Sequence, residues 1–191
     1  MLPEQIGVTL VVADALETLG VPYVIGGSFA SAVHGVMRAT MDVDLVVDLR
    51  PEQVVPLVEL LGGAFYADAE MMRDAIRQRG SCNLIHLETM FKVDLFIAGP
   101  RDLDRAQLAR RQLHRLSADH ERRVYVASAE DTVLAKLEWY RRGDQASDRQ
   151  WRDAVGVLTM QRERLDHDYL RRMAAGLNVA DLLARALDEA A

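Results

Sequence analysis

Cysteine is almost missing from this chain of 191 residues: Cys82 stands alone, so no intrachain disulfide can form and no thiolate cluster can bind zinc. That usage fits a reducing, cytoplasmic compartment. Nowhere does the chain approach the roughly 18–20 uninterrupted apolar residues that a membrane span needs, so no membrane partner is expected. The first residues carry an acid and no basic segment, which does not read as a signal peptide. A basic excess is also lacking, with 23 Lys and Arg against 29 Asp and Glu and a net charge of −6. Bulk charge therefore does not read as a nucleic-acid coat. No repeat or low-complexity tract occurs. What remains is an ordinary globular composition, half hydrophobic and 27% charged.

Charge is uneven along the chain. Residues 1–100 hold 6 basic and 13 acidic side chains, whereas residues 101–152 hold 12 and 9. The arginines at 101, 105, 110, 111, 115, 122, 123, 141, 142, 149 and 152 either face a polyanion or simply solvate helices and a hairpin.

Periodicity predicts a helix over 3–19 closed by Gly20, a strand over 21–25 broken by Gly26-Gly27, and a helix capped by Ser28 that runs to about 37. A β-branched strand follows over 42–47, then a helix from Pro51 to about 61 and another over 68–79. Residues 82–87 and 91–97 read as paired strands, as do 112–117 and 122–127. From Ser128 onward the pattern is helical: 128–142, 147–161, 166–175 and 178–190. The order gives an α+β fold, with a core over 1–127 built on a small mixed sheet and a helical subdomain over 128–191.

Within that frame a few residues read as chemistry. Gly26, Gly27 and Ser28 lie where a strand turns into a helix, which lets backbone amides and a helix dipole approach a phosphate. Asp42 and Asp44 alternate on one face of the next strand, and two such carboxylates repel unless a cation lies between them. Asp94 interrupts the apolar strand 91–97, where an ionised side chain is hard to justify as packing. If that strand pairs beside 42–47, all three acids meet and could hold two divalent ions, with Mg²⁺ or Mn²⁺ as the oxygen-seeking candidates. Lys92 would sit on the same face. Other prominent residues read as structural. His34 looks like a buried hydrogen-bonding side chain, and Trp139, Tyr140 and Trp151 look like helical core rather than a base-stacking platform.

Gly26-Gly27-Ser28, Asp42-x-Asp44 and Asp94 together resemble the DNA polymerase β-type nucleotidyltransferase superfamily. The run through His34-Gly35 and Arg38-x-Thr40-x-Asp42, with Lys136 and Asp153 in the later helices, resembles the AbiEii/AbiGii-type nucleotidyltransferase toxins. The resemblance implies a mixed-sheet nucleotidyltransferase core and transfer of a nucleotide from an NTP, ATP included, to an acceptor hydroxyl. It further implies that Gly26, Gly27, Ser28, Arg38 and Lys136 bind the nucleotide, that Asp42, Asp44 and Asp94 ligate metal, and that Asp153 organises the acceptor or the lysine. Either Asp94 or Asp153 would be the base. A tRNA acceptor and a cognate antitoxin are the partners so implied; a small molecule such as an aminoglycoside is the alternative acceptor, and a non-catalytic nucleotide-binding module the alternative to an enzyme.

Overall fold

A computed structural model describes residues 3–37, 40–116 and 121–191. The chain opens with helix α1 (Pro3–Thr18), strand β1 (Tyr23–Ile25), the short helix α2 (Gly27–Val33) and strand β2 (Asp42–Val47). Helix α3 (Val54–Leu61) follows a single 3-10 turn at Pro51–Gln53, and then come β3 (Phe65–Tyr66), α4 (Ala69–Gln78), β4 (Ser81–His86) and β5 (Lys92–Ile97). The middle of the chain contributes α5 (Asp102–Arg110), β6 (Gln112–Arg115) and β7 (Arg123–Val126). Four helices finish it: α6 (Ala129–Arg142), α7 (Asp148–Gln161), α8 (His167–Gly176) and α9 (Ala180–Glu189).

The strands form one sheet in the order β3-β4-β5-β2-β1-β7-β6. It is mixed: β2 runs parallel to β5 and β1 parallel to β7, while the remaining neighbours are antiparallel. The expected hairpin of β4 with β5 and that of β6 with β7 are both present. Strict alternation then divides the central strands into two faces. Val43, Leu45, Val47, Val93 and Leu95 are buried among Leu16, Val54 and Leu57, whereas the even-numbered positions of β2 and β5 face the other way and stay partly open.

A second apolar cluster is built by the C-terminal helices, from Val133, Leu134, Leu137, Ala154, Val157, Leu170 and Leu183. Leu103 of α5 belongs to it as well. No helix among the described residues is long and apolar enough to cross a membrane.

Two local expectations need correction. Gly26, not Ser28, is the N-cap of α2, and its cap makes no side-chain hydrogen bond. Ser28 lies inside the helix, buried, because a backbone bond from Gly26 to Asp44 O at 2.8 Å ties the turn to β2 two residues earlier. The helix also stops after 7 residues rather than running to 37, so its dipole is short. Ser128 caps α6 as expected by accepting from the Asp131 amide, and Asp68, read as the first residue of a helix, is instead the N-cap of α4, accepting from the Glu70 and Met71 amides.

Candidate functional site

Parallel pairing of β2 with β5 places Asp44 directly opposite Asp94 and Asp42 opposite Lys92. Since in-register residues on a parallel ladder share a face, Asp42, Asp44, Lys92 and Asp94 all emerge on the same side of the sheet. Thr40 orients the first acid by donating its hydroxyl to Asp42 Oδ1 at 2.7 Å. Lys92 Nζ meets Asp94 Oδ2 at 2.8 Å, and this bond raises the ammonium's pKa above its ordinary value.

Asp44 carries the strain of the arrangement. Burial pushes its carboxyl up to about 6, with the negative charges of Asp42 and Asp94 adding to the effect while Lys136 and Lys92 oppose it. Beside it the chain passes so close that a Cβ placed on Gly27 would lie 1.8 Å from Asp44 Oδ2. Gly27 also has φ +56°, a left-handed conformation that side chains resist. Glycine at 27 is therefore a steric requirement of the carboxylate next to it.

Lys136 and Asp153 belong to α6 and α7, and their 2.8 Å ion pair is almost fully buried, with side chains 6% and 3% exposed. The acid's ion-pair partner is this lysine, at 2.8 Å. Lys136 faces a cavity of about 690 Å³ that is also lined by Gly26, Gly27, Ser28, Asp42 and Asp44. Thus one concavity gathers the glycine bend, the paired aspartates and the lysine, with Asp94 next to Asp44 and Asp153 behind Lys136. Arg38 lies outside the described residues.

Oxygen donors on one strand face suit a hard divalent cation, which would also offset the burial and the mutual repulsion that raise the Asp44 carboxyl. Asp42 and Asp44, both at the cavity, are the residues that would hold such an ion. Among the described residues no three acid, histidine or cysteine side chains are already gathered as a ligand cluster. Asp94 would have to exchange Lys92 for the metal.

The cavity also holds residues that the sequence did not announce as site residues. Trp139 is not core: it is 48% exposed and lines the cavity, in edge contact with Phe96 at 6.1 Å. Lys136 and Trp139 are three apart on α6 and so share a helical stripe, a spacing that the core reading of Trp139 passed over. Tyr140 and Trp151 pack on each other, at 5.2 Å, as expected of core residues. His34 is structural, buried with Nε2 at 2.7 Å from Ala127 O, and burial lowers its pKa. Asp104 at the cavity wall is held by Gly99 N and Arg101.

No family model matches the chain, nor does any curated protein. Among solved structures, the antibiotic-resistance factor ANT(2'')-Ia is similar over 93% of this chain and 97% of its own, at 14% identity and a TM-score of 0.54. An antigenic nucleotidyltransferase-like protein from Paracoccidioides brasiliensis aligns over 95% of this chain and 91% of its own, at 17% identity and a TM-score of 0.49. The mixed sheet, its flanking helices and the likeness to the first of these give the chain a nucleotidyltransferase-like fold.

Proposed function

We propose that the protein is a metal-dependent nucleotidyltransferase that moves a nucleoside monophosphate from an NTP to an acceptor hydroxyl. One observation carries this: Asp42, Asp44 and Asp94 share a sheet face, and Gly27 is pressed against Asp44 at the edge of a cavity that Lys136 also enters. The narrower resemblance to AbiEii/AbiGii-type proteins points the same way.

The bare backbone at Gly26–Gly27 admits the triphosphate close to the carboxylates, and Lys136 offsets phosphate charge from the opposite wall. Mg²⁺ or Mn²⁺, held by Asp42 and Asp44, would neutralise charge on the α-phosphate and polarise it. The acceptor oxygen attacks the α-phosphorus, the bond to the bridging oxygen breaks, and pyrophosphate leaves. The hydroxyl proton goes to a carboxylate. Asp94 suits that role better than Asp153, because Asp94 stands beside Asp44 whereas Asp153 is buried against Lys136. Asp153 then fixes the lysine rather than touching the acceptor.

For the acceptor, the arginines of residues 101–152 favour a small hydroxylated molecule. Eight of the eleven (101, 105, 110, 115, 122, 141, 142 and 152) lie within 4.0 Å of a carboxylate, so little of their charge is left for an RNA backbone. A cavity of about 690 Å³ is also of the size that small ligands use. ANT(2'')-Ia, similar in fold over nearly its whole length, is an antibiotic-resistance factor. tRNA, as the target of a toxin held in check by an antitoxin, is the second reading and rests on the motif resemblance.

Labelled NTPs, Mg²⁺, bulk tRNA and an aminoglycoside panel test the assignment together. Wild type should release pyrophosphate with one acceptor class, and Asp42→Asn with Asp44→Asn should reduce the rate at least 100-fold. Equal behaviour of wild type and the double variant, with no NTP binding in either, sinks the proposal. A steep fall of tRNA binding with salt would favour RNA over a small molecule.

A further inference from the structure

Lys136 on α6 faces Asp153 on α7. Trp139 lies three residues after Lys136 on α6, and Gln150 three before Asp153 on α7, each about one turn from the ion pair. Tyr140 and Trp151, the next residue on each helix, are in ring contact, which holds this stretch of the two helices together. Both Trp139 and Gln150 line the same cavity as the glycine bend and the aspartates.

Each side chain of this second pair has an unused capacity. The indole of Trp139 is half exposed and opens onto the cavity that holds the glycine bend. Phe96 braces it from β5, two residues beyond Asp94 on the same face, and Arg142 lies 5.7 Å from its ring. Gln150 Oε1 is buried and accepts no hydrogen bond, a state that buried acceptors rarely tolerate without a partner to come.

We propose that Trp139 and Gln150 form the nucleobase subsite of the triphosphate: Trp139 stacks on the base, and Gln150 Oε1 accepts from an exocyclic amine. The inference rests on the nucleotidyl-transfer reading and gives it a donor preference. Adenine and cytosine present an amine at the edge where guanine and uracil present a carbonyl, so ATP and CTP are favoured over GTP and UTP. The placement agrees with the rest of the site. Phosphates lie at Gly27 and Lys136, and the flat end of the ligand lies one helical turn farther along α6, over an aromatic and amide surface.

Titration calorimetry with Mg²⁺ separates the parts, using inorganic tripolyphosphate, ATP, CTP, GTP and UTP as probes. Wild type should bind ATP or CTP about tenfold more tightly than GTP or UTP. Trp139→Ala should weaken ATP about ten- to hundredfold while leaving tripolyphosphate unchanged, and Trp139→Phe should restore most of the loss. Gln150→Leu should bring the ATP-to-GTP ratio near one, again with tripolyphosphate unaffected. Undiminished tripolyphosphate binding also shows that each variant is folded. Equal ATP affinity in wild type and Trp139→Ala overturns the subsite while leaving nucleotidyl transfer standing, and a preference for GTP or UTP overturns the role of Gln150. Failure of ATP and tripolyphosphate alike to bind wild type overturns the underlying reading.

Discussion

At Gly27 and Asp44 the sequence and the chemistry meet atom by atom. Gly27→Ala forces a methyl group into the Asp44 carboxylate and holds a side chain at φ +56°. We expect it to cost about 1–3 kcal/mol in chemical denaturation and to abolish NTP binding in calorimetry. Asp44 gives the opposite sign. Its carboxyl titrates at about 6 in the folded protein, above the ordinary 3.8, so the fold binds this proton more tightly than the unfolded chain does. The group's contribution to stability is thus fully present below about pH 4 and is lost as the pH rises through 6. Without metal, Asp44→Asn should therefore stabilise the protein by about 2–3 kcal/mol at pH 8 and by little at pH 4, measured by urea melts in EDTA. Equal effects at the two pH values would refute the assignment. The paired acids and the glycines were legible in the sequence because alternation and a double glycine are short-range signals. Trp139 and Gln150 were not, since only the packing of α6 and α7 brings both to one cavity.

Between elements, the buried contact of α6 with α7 makes Lys136 and Asp153 sensitive in a way that activity alone misreads. Removing one partner leaves a charge stranded at a site only 6% or 3% exposed. Lys136→Ala and Asp153→Ala should each cost about 3–5 kcal/mol in thermal or chemical melts. The apolar double variant Lys136→Met/Asp153→Leu should recover most of that stability while remaining inactive. If the double variant regains turnover, the lysine has no part in the chemistry. The long helices and the central strands were readable from apolar spacing, and β2 matched to the residue over Asp42–Val47. Helix α5 was not read at all. Four of its nine residues are charged and only Leu103 and Leu108 are large and apolar, so it is anchored instead by Leu103 in the helical cluster and by Asp104, whose carboxylate takes the Gly99 amide at 2.9 Å. The two-residue strand β3 was missed for another reason: it exists only as a partner for Ile85 and His86.

For the whole molecule, the cavity is walled on one side by the sheet and on the other by the helices of the second apolar cluster. A ligand that touches both sides ties their stabilities together. ATP with Mg²⁺ at about 100 times its Kd should add about 2.7 kcal/mol and raise Tm by roughly 5–10 °C in scanning calorimetry. Leu170→Ala, remote from the cavity in the second cluster, should cost about 2–5 kcal/mol and yet be largely compensated by the same ligand. Absence of any thermal shift with nucleotide would count against the whole arrangement.

The crowding of Gly27 against Asp44 reaches beyond this one chain. Only the carboxylate makes the tightest of those contacts, so trimming Asp44 to alanine removes the atom at 1.8 Å and relaxes the demand on position 27. In lineages where catalysis has been abandoned, the order of loss is expected to be fixed: the glycine can drift only after the aspartate has gone, and then only toward residues that accept φ +56°.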